Sequence, residues 1–112
     1  MKLNHLGISV TDVKAACAFL EKYFGLRPVG KPSDRMGHLQ DDDGLILSLF
    51  RGPPITDPET THIGFMQEND EQVNAIHRRL TEDGFDPPAP ERSHGWTFVV
   101  VAPGGFAIEV VS

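Results

Sequence analysis

The chain predicts an α+β fold built from two tandem βαβββ modules, and three features carry that expectation. His5-Leu6-Gly7-Ile8 opens a strand that runs straight into a helical pattern, and His62-Ile63-Gly64-Phe65 does the same later in the chain. Both helical patterns stop at a glycine step, Gly25-Leu26 and Gly84-Phe85, and short apolar runs follow each one. The chain is 112 residues long, so two such units fill it. A period of this size marks a repeated supersecondary unit. The expectation is one domain over 1–112, made of a module at 1–51 and a module at 60–112 joined by a linker at 52–59.

The elements follow in order. Leu3 to Val10 reads as a strand. Thr11 or Asp12 caps a helix whose apolar positions, Val13, Ala16, Cys17, Leu20 and Phe24, recur at the spacing of one buried helical face. Gly25 ends it. A strand is expected over 26–31, then a loop from Lys31 to Asp34. Met36–Gln40 and Leu45–Phe50 read as a hairpin around Asp41-Asp42-Asp43-Gly44. That acidic run lacks the later ligand of a calcium loop, and Asp-Gly between apolar runs is turn chemistry. Gly52-Pro53-Pro54 through Pro58 is the clearest break. In the second copy, His62–Gln67 is a strand and Asn69 caps a helix carrying Val73, Ile76 and Leu80. Asp86-Pro87-Pro88 can only be loop or sheet edge, because proline donates no ladder hydrogen bond. Trp96–Val101 and Phe106–Val111 form a last hairpin around Ala102-Pro103-Gly104-Gly105, with Pro and Gly where a type II turn wants them.

Composition narrows the partners. Apolar residues make up 39% of the chain, and no apolar run approaches the ~20 residues of a spanning helix. Sixteen acidic residues against ten basic ones give a formal charge of −6, with no basic stripe. Nucleic acid and membrane surfaces are therefore not expected partners. Met1-Lys2-Leu3-Asn4 lacks the apolar core of a secretory signal. Cys17 is the single cysteine, so no internal disulfide forms, and a reducing, cytoplasmic setting is expected. Cys17 falls on the apolar stripe of the first helix and reads as a packed thiol.

Strand alternation then picks out a face. Leu6, Ile8 and Val10 oppose His5, Gly7 and Ser9. Ile63 and Phe65 oppose His62, Gly64 and Met66. Leu45, Leu47 and Leu49 oppose Ile46, Ser48 and Phe50. Phe106, Ile108 and Val110 oppose Ala107, Glu109 and Val111. The strongly apolar sides must cover the helices, which puts His5, His62, Ser48 and Glu109 on the other side. Half-exposed sheets show such polar residues without any function. That reading must still explain two histidines at equivalent places and a lone carboxylate among Ala107, Ile108, Val110 and Val111, where an unpaired charge is costly. Two neutral imidazoles and one carboxylate form an open divalent site with positions free for substrate.

These residues resemble the vicinal oxygen chelate superfamily, which includes glyoxalase I, extradiol dioxygenases, fosfomycin-resistance enzymes and bleomycin-binding proteins. The carriers are Asn4-His5-Leu6, the Asp12-Val13 helix start, Tyr23-Phe24-Gly25-Leu26, Thr61-His62-Ile63-Gly64-Phe65 and Phe106-Ala107-Ile108-Glu109-Val110. The resemblance implies a glyoxalase-like fold, its paired modules forming an open barrel-like cup. It implies metal ligands at His5, His62 and Glu109, a divalent cofactor (Fe, Mn, Zn or Ni) and a small oxygen-bearing substrate. Where glyoxalase I carries a fourth ligand, a glutamate, this chain has Ser48. Where the fosfomycin branch carries a threonine two places after the first histidine, it has Gly7. The branch stays open among lyase, transferase and dioxygenase chemistry. Ile46, Ser48, Phe50, Met66, Trp96 and Phe98 are expected to wall the substrate. His38 and His94 are the spare imidazoles for proton transfer, whereas His77 is expected to face outward beside Arg78-Arg79. The alternative is a non-catalytic binding protein of the bleomycin-resistance type. Open sheet edges predict a homodimer.

Overall fold

The computed structural model describes residues 1–112. In chain order the elements are β1 (His5–Val10), α1 (Val13–Phe24), β2 (Arg27–Pro28), β3 (Met36–Gln40), β4 (Ile46–Arg51), β5 (Ile63–Met66), α2 (Asp70–Glu82), β6 (Glu91–Arg92), β7 (Trp96–Ala102) and β8 (Phe106–Val111). The strand–helix–three-strand unit therefore occurs twice. Each copy builds one four-stranded sheet, in the orders β1-β4-β3-β2 and β5-β8-β7-β6. The chain divides into two compact units at Thr56/Asp57, and the turn Pro103–Phe106 belongs to the first of them.

In the first unit, Asp12 caps α1 by accepting the Ala15 N–H at 3.1 Å. Such a cap contributes about 1 kcal/mol. Gly25 closes the helix in the left-handed region, with φ 66°, a conformation that costs glycine nothing. The buried face of α1 holds Val13, Ala16, Cys17, Phe19, Leu20 and Tyr23. Phe24, expected on that stripe, is only half-buried, and Tyr23 and Phe19 take its place with their rings 4.9 Å apart. Against this face lie Val10, Leu39, Leu47 and Leu49, all buried. Each such aliphatic side chain contributes about 1.5–3 kcal/mol when fully buried. Leu6, expected among them, is 43% exposed at the start of β1.

β1 pairs with β4 in parallel, and β4 pairs with β3 antiparallel. β2 is shorter than the six-residue strand expected, two residues against β3, although Val29 N–H still donates to His38 O. The aspartate run is a turn. Asp41 Oδ1 accepts from the Asp43 and Leu45 N–H groups, so its carboxylate is spent on its own loop. The segment after β4 is tied back by Gly52 N–H to Val10 O and by Ser9 Oγ to Pro53 O.

In the second unit, Asn69 caps α2 through the Gln72 N–H at 3.0 Å, and Gly84 follows the last turn with φ 93°. α2 fully buries only Val73 and Leu80, so its grip on the sheet is narrower than that of α1. The partners are Phe98, Val100, Ile108 and Val110, all buried. The segment Asp86-Pro87-Pro88 is loop, and the short edge strand β6 lies after it. Cys17 is a buried free thiol whose pKa is raised, first by burial and then by nearby Glu21. No helix is long and apolar enough to cross a membrane.

Candidate functional site

In the second unit β5 runs parallel to β8, with Gly64 opposite Glu109 and Ile63 opposite Ile108. Alternation therefore sends Glu109 to one face together with Gly64, while Ile108 and Val110 go to the helix side. Glu109 has a side chain only 15% exposed, and its two oxygens have different neighbours. Oε2 accepts from Thr97 Oγ1 at 2.9 Å and stands 2.9 Å from His94 Nε2. Oε1 stands 3.8 Å from His62 Nε2. A half-buried carboxylate in an apolar strand is costly unless it is paired, and this one is paired by Thr97 and His94.

His62 lies directly before β5, one place outside the strand expected to contain it. Its Nδ1 is 2.9 Å from Pro58 O. A carbonyl only accepts, so Nδ1 carries the proton, and in the neutral ring the lone pair sits on Nε2. Two acceptor atoms, Nε2 of His62 and Oε1 of Glu109, thus face each other with no proton between them. Their 3.8 Å separation exceeds a hydrogen bond and is a few tenths of an ångström wider than two metal–ligand bonds of about 2 Å span at a tetrahedral angle, so the pair would close slightly to grip an ion. An imidazole whose second nitrogen donates to a backbone carbonyl is the usual support for a metal-ligating histidine.

The first unit repeats the frame with different groups. His5, Gly7 and Ser9 stand beside Ile46, Ser48 and Phe50, which in turn face Gln40, His38 and Met36. Asn4 Oδ1 lies 2.7 Å from His5 Nδ1 and accepts its proton, so here too Nε2 is left as the lone-pair nitrogen. Ser48 is buried and its Oγ lies 2.8 Å from His38 Nδ1. The Phe50 ring meets His38 edge-on at 6.3 Å and leans over Gly7, where an added Cβ would come within 3.3 Å of it. The glycine thus leaves room for the ring.

The sequence-derived residues fall into three groups. His62 and Glu109 come together, and His94 joins them. Ile46, Ser48, Phe50 and His38 share one face of the first sheet with His5. Trp96 and Phe98 are placed otherwise than expected. Trp96 Nε1 donates to Asn74 Oδ1 on α2 at 2.8 Å, and the Phe98 ring meets His77 on α2 at 5.1 Å. Both therefore belong to the helix side of β7, and Thr97 takes the place facing Glu109. His77 also differs from expectation: it packs on Phe98 with Nε2 near Pro87 O and Pro88 O instead of facing outward. Met66 is 78% exposed. Thr97 and Asn4, which hold the carboxylate and the first imidazole, were not foreseen in those roles. The alternation that selects Glu109 would have pointed to Thr97. Within neither unit do three or more His, Cys, Asp or Glu side chains gather as a metal-holding group.

Known proteins carry the same frame. A possible glyoxalase from Bacillus cereus is 47% identical, covering 100% of this chain and 99% of that one, with a TM-score of 0.92. The fosfomycin resistance protein FosX of Listeria monocytogenes, at 21% identity and TM-score 0.81 over 99% of this chain and 90% of its own, shares the fold. A trivalent organoarsenical cleaving enzyme from a Bacillus strain is 32% identical over 75% of this chain and 52% of its own length. A probable enzyme of the same name from Bacillus subtilis is 29% identical over 76% of this chain and 58% of its own. The chain thus spans about half the length of the curated relatives it matches. Residues 2–110 match the family described as Glyoxalase/Bleomycin resistance protein/Dioxygenase superfamily, and the chain belongs to that superfamily.

Proposed function

We propose that the protein is a metal-dependent enzyme of the vicinal oxygen chelate type, acting on a small substrate with neighbouring oxygen atoms. The observation that supports it best is the facing pair of acceptors, His62 Nε2 and Glu109 Oε1 at 3.8 Å, with the His62 ring fixed by Pro58 O. His62 and Glu109 would hold the ion, and His5 is proposed as the third ligand, its Nε2 freed in the same way by Asn4. Within one unit the group stops at two such ligands, so the proposal requires His5 from the other unit or from a second copy. When bound, a divalent ion supplies Lewis acidity toward a developing oxyanion. The chain's own residues do the rest. Thr97 hydrogen-bonds the Glu109 carboxylate, and Pro58 and Asn4 set the two imidazole tautomers. His38, hydrogen-bonded to Ser48, is the spare imidazole placed to move a proton on the His5 face.

The metal is testable directly. Purified protein is expected to carry about one divalent ion per chain, and His62→Ala is expected to remove it. Metal content unchanged in that variant sinks the reading. Activity is then screened with methylglyoxal–glutathione adducts, fosfomycin with thiols, and catechols. Trivalent organoarsenicals join the screen because the curated relatives are named for cleaving them. Arsenic(III) favours thiolate donors, and Cys17 is buried on α1, so that reaction would need an added thiol.

A binding protein without catalysis is the second reading. It is favoured by Met36 and Phe50, which stand opposite each other on β3 and β4 and are both substantially exposed. Ligand affinity unchanged in His5→Ala, with no metal present, would select it. We also propose a homodimer, since β1 and β5 each end a sheet and open edges invite pairing. The mass in solution tests it.

A further inference from the structure

We propose that His94 is a positioning residue for Glu109: it ties Oε2 back and leaves Oε1 as the single oxygen offered to the ion. This rests on the metal-site reading above and names a residue that reading does not require. His94 Nε2 lies 2.9 Å from Oε2, while Oε1, on the opposite side of the carboxylate, faces His62. The His94 ring nitrogen therefore stands at ion-pair distance from this one oxygen. Thr97 Oγ1 also reaches Oε2 at 2.9 Å, but its one proton is shared with Val110 O at the same distance. Thr97 therefore divides its proton between two acceptors, and the His94 ring is the second group standing at Oε2.

His94 is an exposed side chain, and an exposed contact of this kind is often incidental. Here the backbone beneath it is fixed from three sides. Ser93 N–H donates to Gly95 O, closing the turn that carries His94. Gly95 packs so tightly that an added Cβ would overlap Ser112 O and come within 2.8 Å of Val111 Cγ2. Trp96 is anchored through Nε1 to Asn74 on α2, and Arg92 lies over the Trp96 ring at 5.1 Å. The turn cannot drift without breaking one of these. The imidazole is delivered to Oε2 by a built segment, not by a free surface side chain. A carboxylate held by one oxygen binds a metal through the other, and supporting contacts of this kind typically alter affinity 10–100-fold.

The test is Co(II) titration of the full-length protein, reading affinity and the visible absorption that reports coordination number. Wild type, His94→Ala, His94→Gln and His62→Ala are compared. The expected result is one ion bound by His94→Ala with affinity about 10–100-fold weaker and an absorption band changed in intensity, as Glu109 becomes free to bind through both oxygens. His94→Gln, which keeps an N–H donor of similar reach, is expected to restore most of both. If affinity and spectrum in His94→Ala match wild type, the proposal falls and the metal-site reading stands. If His94→Ala loses the ion outright, as His62→Ala is expected to, His94 is a ligand and the positioning role is wrong. If wild type binds no ion, both fall together.

Discussion

The two units share one chain path and differ in what they place at equivalent points. β4 of the first presents Ser48 where β8 of the second presents Glu109. Each is hydrogen-bonded by the preceding strand, Ser48 by the His38 imidazole and Glu109 by the Thr97 hydroxyl. Each unit opens on a histidine whose Nδ1 is tied to an oxygen, Asn4 Oδ1 in one and Pro58 O in the other. The lesson is that the duplicated backbone sets where side chains point, and the residue on the last strand, Ser48 or Glu109, decides which half places a carboxylate there. On the proposed function, the first unit would supply a binding wall and the second two of the ion's ligands.

The largest effect should separate the two halves outright. Glu109→Ala is expected to abolish metal retention, whereas Ser48→Ala leaves it intact. Ser48→Ala instead costs about 1 kcal/mol of stability, because it strands His38 Nδ1 in a partly buried place. Metal analysis and thermal melts on both variants check this. Equal metal loss in both would mean that the halves share the ion through Ser48 as well, and the contrast drawn above would fail.

Next come two glycines at the start of the third strand of each unit. A Cβ on Gly95 would overlap backbone at Ser112, and one on Gly37 would approach Cys17 Sγ to 2.7 Å and Val13 Cγ1 to 3.2 Å. Overpacking of this kind costs about 1–3 kcal/mol, so both alanine variants should melt lower. Only Gly95→Ala should also weaken metal binding, because only that turn carries an imidazole to the site. Metal affinity lowered equally by Gly37→Ala would show that general loosening, and not the position of His94, sets it.

How far the sequence could be read follows the same division. Helix limits were legible because Asp12, Gly25, Asn69 and Gly84 act locally, through capping and left-handed backbone. The short edge strands were not, since the two-residue strands at Arg27–Pro28 and Glu91–Arg92 are set by a neighbour's register and not by their own pattern. Glu109 was legible because it is the one charge in an apolar strand. The faces of β7 were not, because Trp96, Phe98 and Val100 on one side and Val99 and Val101 on the other are all apolar. Only the hydroxyl of Thr97 marks the polar face. His77 was misread from its neighbours Arg78 and Arg79. Its spacing, four after Val73 and three before Leu80, already set it on the flank of the buried stripe.

A smaller test concerns Gly7 and Gly64, each two places after its unit's histidine. Space beyond Gly64 is open, while Gly7 lies under the Phe50 ring. Glycine within a strand is about 0.5–1 kcal/mol worse than alanine, so Gly64→Ala should raise the melting temperature. Gly7→Ala should gain less, because the Phe50 ring has to shift. A larger gain at Gly7 would mean that the ring moves freely and does not define that wall.

The smallest expected effect is in acid. The first turn of α2 carries Asp70, which meets Arg92 at 2.6 Å and accepts from Ser112 Oγ, whereas α1 has no acidic residue in its first turn. The hydrogen bond from Ser112 and then that from Arg92 hold the Asp70 carboxyl below its ordinary value of 3.8. A group whose folded pKa is depressed contributes stability above its unfolded pKa and loses it as pH falls through the folded one. Asp70 is solvent-exposed, which limits the contribution. Asp70→Asn should therefore lower stability slightly near neutral pH and flatten the decline below about pH 4, the unfolded carboxylate range. Melts across pH compare it with wild type. Because the anchor joins the first turn of α2 to β6 and the residue after β8, the flattening belongs to the second unit. If wild type and variant decline in parallel through that range, acid sensitivity lies elsewhere, and this difference between the units is removed.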